Sequence, residues 1–252
     1  MSLKGKVCII TGGGSGIGRC TALAMARDGA SVALVGRTAA KVETVKDEVE
    51  AAGGTAMAFG VDVADLDGVM RMAESVKSEL GGPHVLVNNA GHSSYHRRVL
   101  TTTAEEVRAV MDTNVLGTIF CTQAVLPTMI EAGEGTIINV SSLAGVKGSM
   151  LGGMAYSAAK AAVINFTRFI NNEYPDTGIR ASVVIPGEVD TPVLDKRPVP
   201  PDKAARATMA GAEDAAEVIT MIAWLPQRTA IPELTLQPTV LRDSSAETSR
   251  FP

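Results

Sequence analysis

The chain has 252 residues, 46% of them hydrophobic and 20% charged, with a formal charge of -4. That length can bury a full core, and the composition is that of an ordinary globular protein. The mild negative charge gives no electrostatic reason to expect nucleic acid or an anionic membrane, and 4% aromatics leave little for base stacking.

Cys8, Cys20 and Cys121 stand in apolar runs without metal-ligand spacing. They read as core thiols of a reducing compartment, with no metal site. The N-terminal MSLKGKVCIITGGG holds too short an apolar run for a signal peptide, and no stretch approaches the run of about 18 apolar residues that would span a membrane. The expected location is the cytoplasm.

Short β-branched runs alternate with amphipathic segments up to about residue 190. VCIIT at 7–11 reads as a buried strand, followed by a helix at 17–28. SVALVG at 31–36 is a second strand, and 39–52 a helix ended by Gly53 and Gly54. A strand at 56–61, a helix at 66–80 and the strand VLVNN at 85–89 come next. Two helices are expected at 104–113 and 115–131, then a strand at 136–142, a long helix at 155–173 and a strand at 179–186. Continuous apolar strands separated by helices imply a doubly wound parallel α/β sheet of about seven strands in one domain over 1–252. Its ligand site belongs beyond the carboxyl ends of the strands. The stretch 191–210 contains Pro198, Pro200 and Pro201, which leave no room for a regular element. It reads as a cover over a substrate, the plainer alternative being a surface loop. A helix at 214–224 and a strand at 233–237 close the fold, and the polar tail at 243–252 is expected to fray.

The glycines of TGGGSGIG at 11–18 fall between a buried strand and a helix. Gly12, Gly16 and Gly18 let the backbone turn tightly and approach a pyrophosphate, which a helix N-terminus attracts. The run lacks the Gly-Lys-Ser/Thr ending of a nucleoside-triphosphate loop, so a dinucleotide is favoured over ATP. A site for NAD usually carries an acidic residue about 20 positions further on. Here the second strand ends in Gly36 and Arg37, which offers a fork for a 2′-phosphate. NADP(H) is therefore favoured over NAD(H), although an arginine at a strand end is equally ordinary on a solvated rim. After the fourth strand, Asn89, Ala90 and Gly91 leave space for a cofactor, and the amides of Asn88 and Asn89 could tie strand ends together; read alone, the segment is a turn.

In AYSAAKAA, Tyr156 and Lys160 are four apart and share one face of a helix turn. A phenol titrates near about 10 in water, and a neighbouring ammonium could bring it into a working range. Such a pair is often mere surface decoration. Ser141 and Ser142 end a strand on the same side of the sheet, where a hydroxyl could donate to a substrate oxygen. The weight rests on these elements meeting in one place.

Taken together, TGGGSGIG, NNAG, Asn114 in DTNVLG, INVSS, YSAAK and PGEVDT resemble the short-chain dehydrogenase/reductase family in motif and order. The resemblance implies an NAD(P)-dependent oxidoreductase acting on a small alcohol or carbonyl compound. It assigns Tyr156 as general acid or base, Lys160 as the group lowering its pKa and holding the ribose, Ser142 as orienting the substrate oxygen, and Asn114 as positioning Lys160. Gly12, Ser15 and Ile17 would hold the pyrophosphate, and Asp62 and Val63 the adenine. Asn89 and Gly91 would lie by the ribose, and Pro186, Gly187 and Thr191 by the nicotinamide amide. Ser142 precedes Tyr156 by one residue more than is usual in the family, so Ser141 competes for the serine role. Relatives are commonly homotetramers or homodimers joined through the helices at 103–131 and 155–173.

The substrate pocket is expected between the loop after Gly91, the stretch 143–153 and the cover from Glu188. Arg97 and Arg98 would suit an anionic substrate, but the reading preferred is that they are solvated. Met150, Leu151 and Met154 suggest an apolar wall or ordinary packing. The alternative to an enzyme is a silent dinucleotide-binding regulator on the same fold.

Overall fold

A computed structural model describes residues 2–252. The strands β1 (Val7–Thr11), β2 (Ser31–Gly36), β3 (Thr55–Gly60), β4 (Val85–Asn88), β5 (Gly135–Val140), β6 (Ile179–Pro186) and β9 (Glu233–Leu236) form one sheet in the order β3-β2-β1-β4-β5-β6-β9. Every pairing is parallel. A short parallel pair, β7 (Val189–Asp190) with β8 (Ala210–Gly211), lies apart from it. The helices include α1 (Gly16–Arg27), α2 (Ala39–Ala51), α3 (Leu66–Leu80), α4 (Ala104–Met111), α5 (Gly117–Ala132), the short α6 (Leu143–Val146), α7 (Met154–Glu173), the short α8 (Lys203–Arg206) and α9 (Ala212–Trp224).

Why the central strands β1, β2 and β4 are apolar at nearly every position follows from the layering. Successive side chains point to opposite faces, and both faces are covered. Cys8, Ile10, Val32, Leu34, Val85 and Val87 join one core with residues of α1, α2 and α9. Their sequence neighbours Val7, Ile9, Ala33, Val35 and Leu86 join the other, with α3, α5 and Ile170 of α7. The strand order reverses between β1 and β4, which opens a crevice at their carboxyl ends.

Three expectations change. The two helices expected at 104–131 are one run, in which a π-turn at Asp112–Leu116 joins α4 to α5. Asn114 explains the turn: its Nδ2 donates to the Val110 carbonyl at 2.8 Å, which a regular α-helix would reserve for its own backbone. Counted through the turn, Ala104–Ala132 spans 29 residues, and an 18-residue window within it has a mean hydropathy of 1.4, long and apolar enough to cross a membrane by composition. It is nonetheless a core helix, with Cys121, Val125, Leu126 and Met129 buried against the sheet.

The stretch 191–210 does contain regular structure, a 3₁₀ turn at Pro192–Lys196 and α8 (Lys203–Arg206). Pro192 falls in the first turn, where a missing N–H costs nothing, and Asp202 caps α8. Finally, the tail is packed rather than frayed. It forms α10 (Ser245–Thr248), and Phe251 is only 4% exposed. Two backbone carbonyls fix it, Phe251 accepting from Arg98 Nε and Pro252 from the Arg97 N–H.

Phe251→Ala is expected to lower the unfolding free energy in urea by about 3 kcal/mol, the scale of losing a buried aromatic ring. An unchanged midpoint would show that the tail adds nothing to stability.

Candidate active site

The glycine turn is shaped by close approach rather than by flexibility alone. Gly12 has φ +66° and Gly16 φ +51°, a region that disfavours a Cβ. A Cβ on Gly18 would lie 2.3 Å from the Gly12 carbonyl oxygen, so Gly18 serves helix–strand packing and does not line the cleft. Ser15 is the N-cap of α1 but its side chain caps no amide, leaving the first N–H groups of the helix to face an anion.

The segment after β4 does tie strand ends together. Thr11 Oγ1 accepts the backbone N–H of Asn89 and of Ala90, each at 3.0 Å, and Asn89 Nδ2 donates to the Thr11 carbonyl at 3.0 Å. Asn88 lies in the core, donating to Asn139 Oδ1 at 2.9 Å and Thr122 Oγ1 at 3.2 Å. A Cβ on Gly91 would come 2.6 Å from Asn114 Oδ1 and 3.3 Å from Lys160 Nζ. The missing side chain thus leaves room for these two polar atoms at one spot. Asn114 Oδ1 is buried and has no partner among the described residues, while Nδ2 is held by the Val110 and His92 carbonyls.

Tyr156 and Lys160 lie in the first half of α7, with Nζ 5.6 Å from the centre of the phenol ring. Lys160 is buried, and its ammonium donates to the Val140 carbonyl at 2.8 Å. Burial pushes its pKa down to about 8. Burial also dominates at Tyr156 and raises the phenol above its ordinary value; the Ser142 hydroxyl, then the charges of Arg197 and Arg97, pull it back. The two serines separate by their bonds. Ser141 is buried and donates to the Lys160 carbonyl at 2.8 Å, whereas Ser142 stands beside the phenol and accepts from the Ala144 N–H.

A cleft of ≈ 430 Å³ joins these groups. Gly12, Ser15, Gly16, Ile17, Asn89, Ala90, Gly91, Ser142, Tyr156, Lys160, Pro186, Gly187 and Thr191 line it. A smaller adjoining cavity of ≈ 140 Å³ is lined by Gly36, Arg37, Asp62 and Val63, and shares Gly12, Ala90 and Gly91 with the first. Arg37 there makes only a loose pair with Asp62, at 3.9 Å, and both side chains are largely exposed. Asn114 reaches the cleft only through Gly91. An extended dinucleotide fits this pair of cavities, with uncapped helix amides where its phosphates would lie.

The walls beyond Tyr156 overturn part of the sequence reading. Arg97 is not solvated: it is 3% exposed and lines the cleft. Its Nη1 donates to the Gly152 carbonyl at 2.6 Å and to Ser93 Oγ. Arg98 is exposed. Of the three apolar side chains expected on the wall, Leu151 lines the cleft; Met154 packs with Val110 and Ala155, and Met150 is exposed. The cover contributes residues only as far as Arg197. Arg197 pairs with Glu188 at 3.0 Å, a contact made across the β7 turn that spacing alone could not reveal.

A model of the short chain dehydrogenase family matches residues 6–200. The chain is 36% identical over 198 residues to the 3-oxoacyl-(acyl-carrier-protein) reductase FabG of Thermotoga maritima, covering 79% of this chain and 80% of that protein. It is 37% identical over 195 residues to the 2,5-dichloro-2,5-cyclohexadiene-1,4-diol dehydrogenase of Sphingobium indicum, covering 77% and 76%. A metagenomic short-chain oxidoreductase solved in complex with NADP superposes with a TM-score of 0.82 at 30% identity, over 96% of this chain and all of the other. The serine dehydrogenase of Escherichia coli gives 0.81 at 26% identity, covering 94% and 100%. The fold and these likenesses define an oxidoreductase. The chain belongs to the short-chain dehydrogenase family.

The buried lysine has a measurable consequence. Unfolded, Lys160 keeps its proton up to about 10.5, and folded only to about 8. Between those values the unfolded chain binds more protons, so stability rises with pH across that window. The penalty at pH 7 is about 3 kcal/mol, and losing the bond to Val140 costs about 1 kcal/mol. Lys160→Met is therefore expected to be more stable than the native chain at pH 7 by about 2 kcal/mol in urea unfolding. The advantage disappears by about pH 10. A gain that is constant with pH would contradict the burial of a charged Lys160.

Proposed function

We propose that the chain reduces a carbonyl or oxidises the matching alcohol with NADP(H), using Tyr156 as the proton donor and acceptor at the substrate oxygen. The observation that carries this reading is that Tyr156, Ser142 and Lys160 line the same cleft as the glycine turn. The cofactor, when bound, gives a hydride to the carbonyl carbon or takes one from the alcohol carbon. Ser142 donates to the substrate oxygen and fixes its direction. Tyr156 releases its proton to that oxygen during reduction and recovers it during oxidation. Lys160 would hold the ribose, and its positive charge would add to the Ser142 hydroxyl and the charges of Arg197 and Arg97, which already pull the phenol back from the high value that burial imposes. Asn114, through its unpartnered Oδ1, is a positioning residue for Lys160.

Gly12, Ser15, Gly16 and Ile17 would hold the pyrophosphate, Asp62 and Val63 the adenine, and Asn89, Ala90 and Gly91 the ribose. Pro186, Gly187 and Thr191 would meet the nicotinamide amide. Arg37 in the adenine cavity, with Gly36 rather than an acidic residue at the end of β2, favours a 2′-phosphate and hence NADP(H). The part of the cover at 191–197 closes over the substrate. A cytoplasmic homo-oligomer built on α5 and α7 completes the reading, supported by the exposure of Leu116, Ile130 and Phe169 on that helical layer.

Tyr156→Phe tests the mechanism. It is expected to lose at least about a hundredfold in kcat while NADPH affinity stays within about threefold. Turnover unchanged by the loss of the hydroxyl would remove Tyr156 from the chemistry.

A further inference from the structure

Arg97 is a buried cation without a buried anion. Its Nη1 is held by Ser93 and the Gly152 carbonyl, Nε is fully buried with no partner among the described residues, and Nη2 has no protein partner either. Phe251 covers one side, its ring centre 6.0 Å from the guanidinium carbon. A charge taken from water in this way is costly unless something of opposite sign meets it. Glu106 is the acidic group that acts on it, but that carboxylate is already engaged by His96 and by the backbone N–H groups of Tyr95, His96 and Thr103.

The remaining charges deepen the imbalance. Arg197 lies near enough to Arg97 to disfavour its charge. It shares Glu188 with Arg242, which also holds Glu247. Arg197 and Arg242 are thus paired with Glu188 and Glu247, whereas Arg97, on the cleft wall, makes no ion pair among the described residues. Both Arg97 and Arg197 act on the Tyr156 phenol, so the positive excess sits beside the reacting oxygen rather than at the dinucleotide end.

We propose that Arg97 and Arg197 form a subsite for an anionic group on the substrate, a carboxylate or phosphate carried by the molecule whose hydroxyl or carbonyl meets Tyr156. A guanidinium fork is suited to either oxyanion, and the anion would meet the desolvated charge on Arg97 while Arg197 stays paired with Glu188. The substrate class is a hydroxy or oxo acid, or a phosphorylated alcohol or ketone. This inference rests on the hydride-transfer reading of the cleft.

The test is the thermal melting of the NADPH-saturated protein with matched pairs of ligands. The pairs are 3-hydroxybutyrate and 1,3-butanediol, malate and its dimethyl ester, and glycerol 3-phosphate and glycerol. At least one anion is expected to raise the melting temperature in a saturable way that its neutral partner does not. Stabilisation by the carboxylates alone assigns a carboxylate, and by glycerol 3-phosphate alone a phosphate. Arg97→Gln is expected to weaken that binding roughly tenfold to a hundredfold, the scale of a lost charge-assisted hydrogen bond, with NADPH affinity retained. Should Arg97→Gln fail to fold, Arg197→Gln leaves the Arg97 bonds in place and is expected to weaken the same anion. No stabilisation by any anion, equal stabilisation by neutral partners, or unchanged anion binding in the folded variant would overturn the proposal. A native chain that does not bind NADPH would instead bring down the reading beneath it.

Discussion

The lock between the ends of β1 and β4 governs everything built above it. One hydroxyl, Thr11 Oγ1, accepts two backbone amides from the neighbouring strand end, and the Asn89 side chain returns a bond to the Thr11 carbonyl. A Cβ at Gly12 would lie 2.8 Å from Asn89 Nδ2, so the two loops touch with no side chain between them. The connections after β1 and β4 leave to opposite faces of the sheet at this topological switch, and the open crevice between them exposes backbone groups. The lock satisfies those groups, fixes where α1 begins, and aims its uncapped amides into the cleft. Gly91 follows from the same segment, and its bare Cα is what admits Lys160 and Asn114 to one point.

Three buried cations show how the fold treats charge according to use. Arg180 is wrapped by Thr136 Oγ1 and by the carbonyls of Ile222, Ala223, Pro226 and Thr229, with every contact on the protein. It ties β6 to the chain after α9 and needs no ligand. Lys160 has one carbonyl, and Arg97 has a carbonyl and a hydroxyl. Incompletely satisfied polar groups cost stability, and a fold retains them where a function uses the unmet capacity. Both under-satisfied cations flank Tyr156, whereas the fully satisfied one is remote from the cleft. The distribution follows the chemistry assigned to the site.

Much of this was legible because it is local. The central strands show as largely apolar runs, and the glycine turn and the Tyr156–Lys160 pair depend on spacings within one or two turns of chain. What stayed hidden depends on distant partners. Arg97 looks like any surface arginine until the Gly152 carbonyl and Phe251 close on it from opposite directions. The tail seemed free because its anchors, the Arg97 N–H and Arg98 Nε, lie about 150 residues earlier. The π-turn is set by a side chain competing with the helix backbone, which periodicity does not register. The spacing from Ser142 to Tyr156 leaves both serines as candidates in the sequence, and their hydrogen bonds tell them apart. Ser142 stands beside the phenol, and Ser141 spends its hydroxyl on α7.

The central claim is that the crevice at the strand switch binds a nicotinamide dinucleotide with its 2′-phosphate at Arg37. The direct measurement is a titration of the purified protein with NADPH and, separately, NADH, followed by nicotinamide fluorescence. Saturable binding of both, with NADPH the tighter by tenfold or more, roughly one charge-assisted phosphate contact, is the expected result. Tighter binding of NADH would contradict the role given to Arg37, and binding of neither would contradict the assignment of the crevice itself.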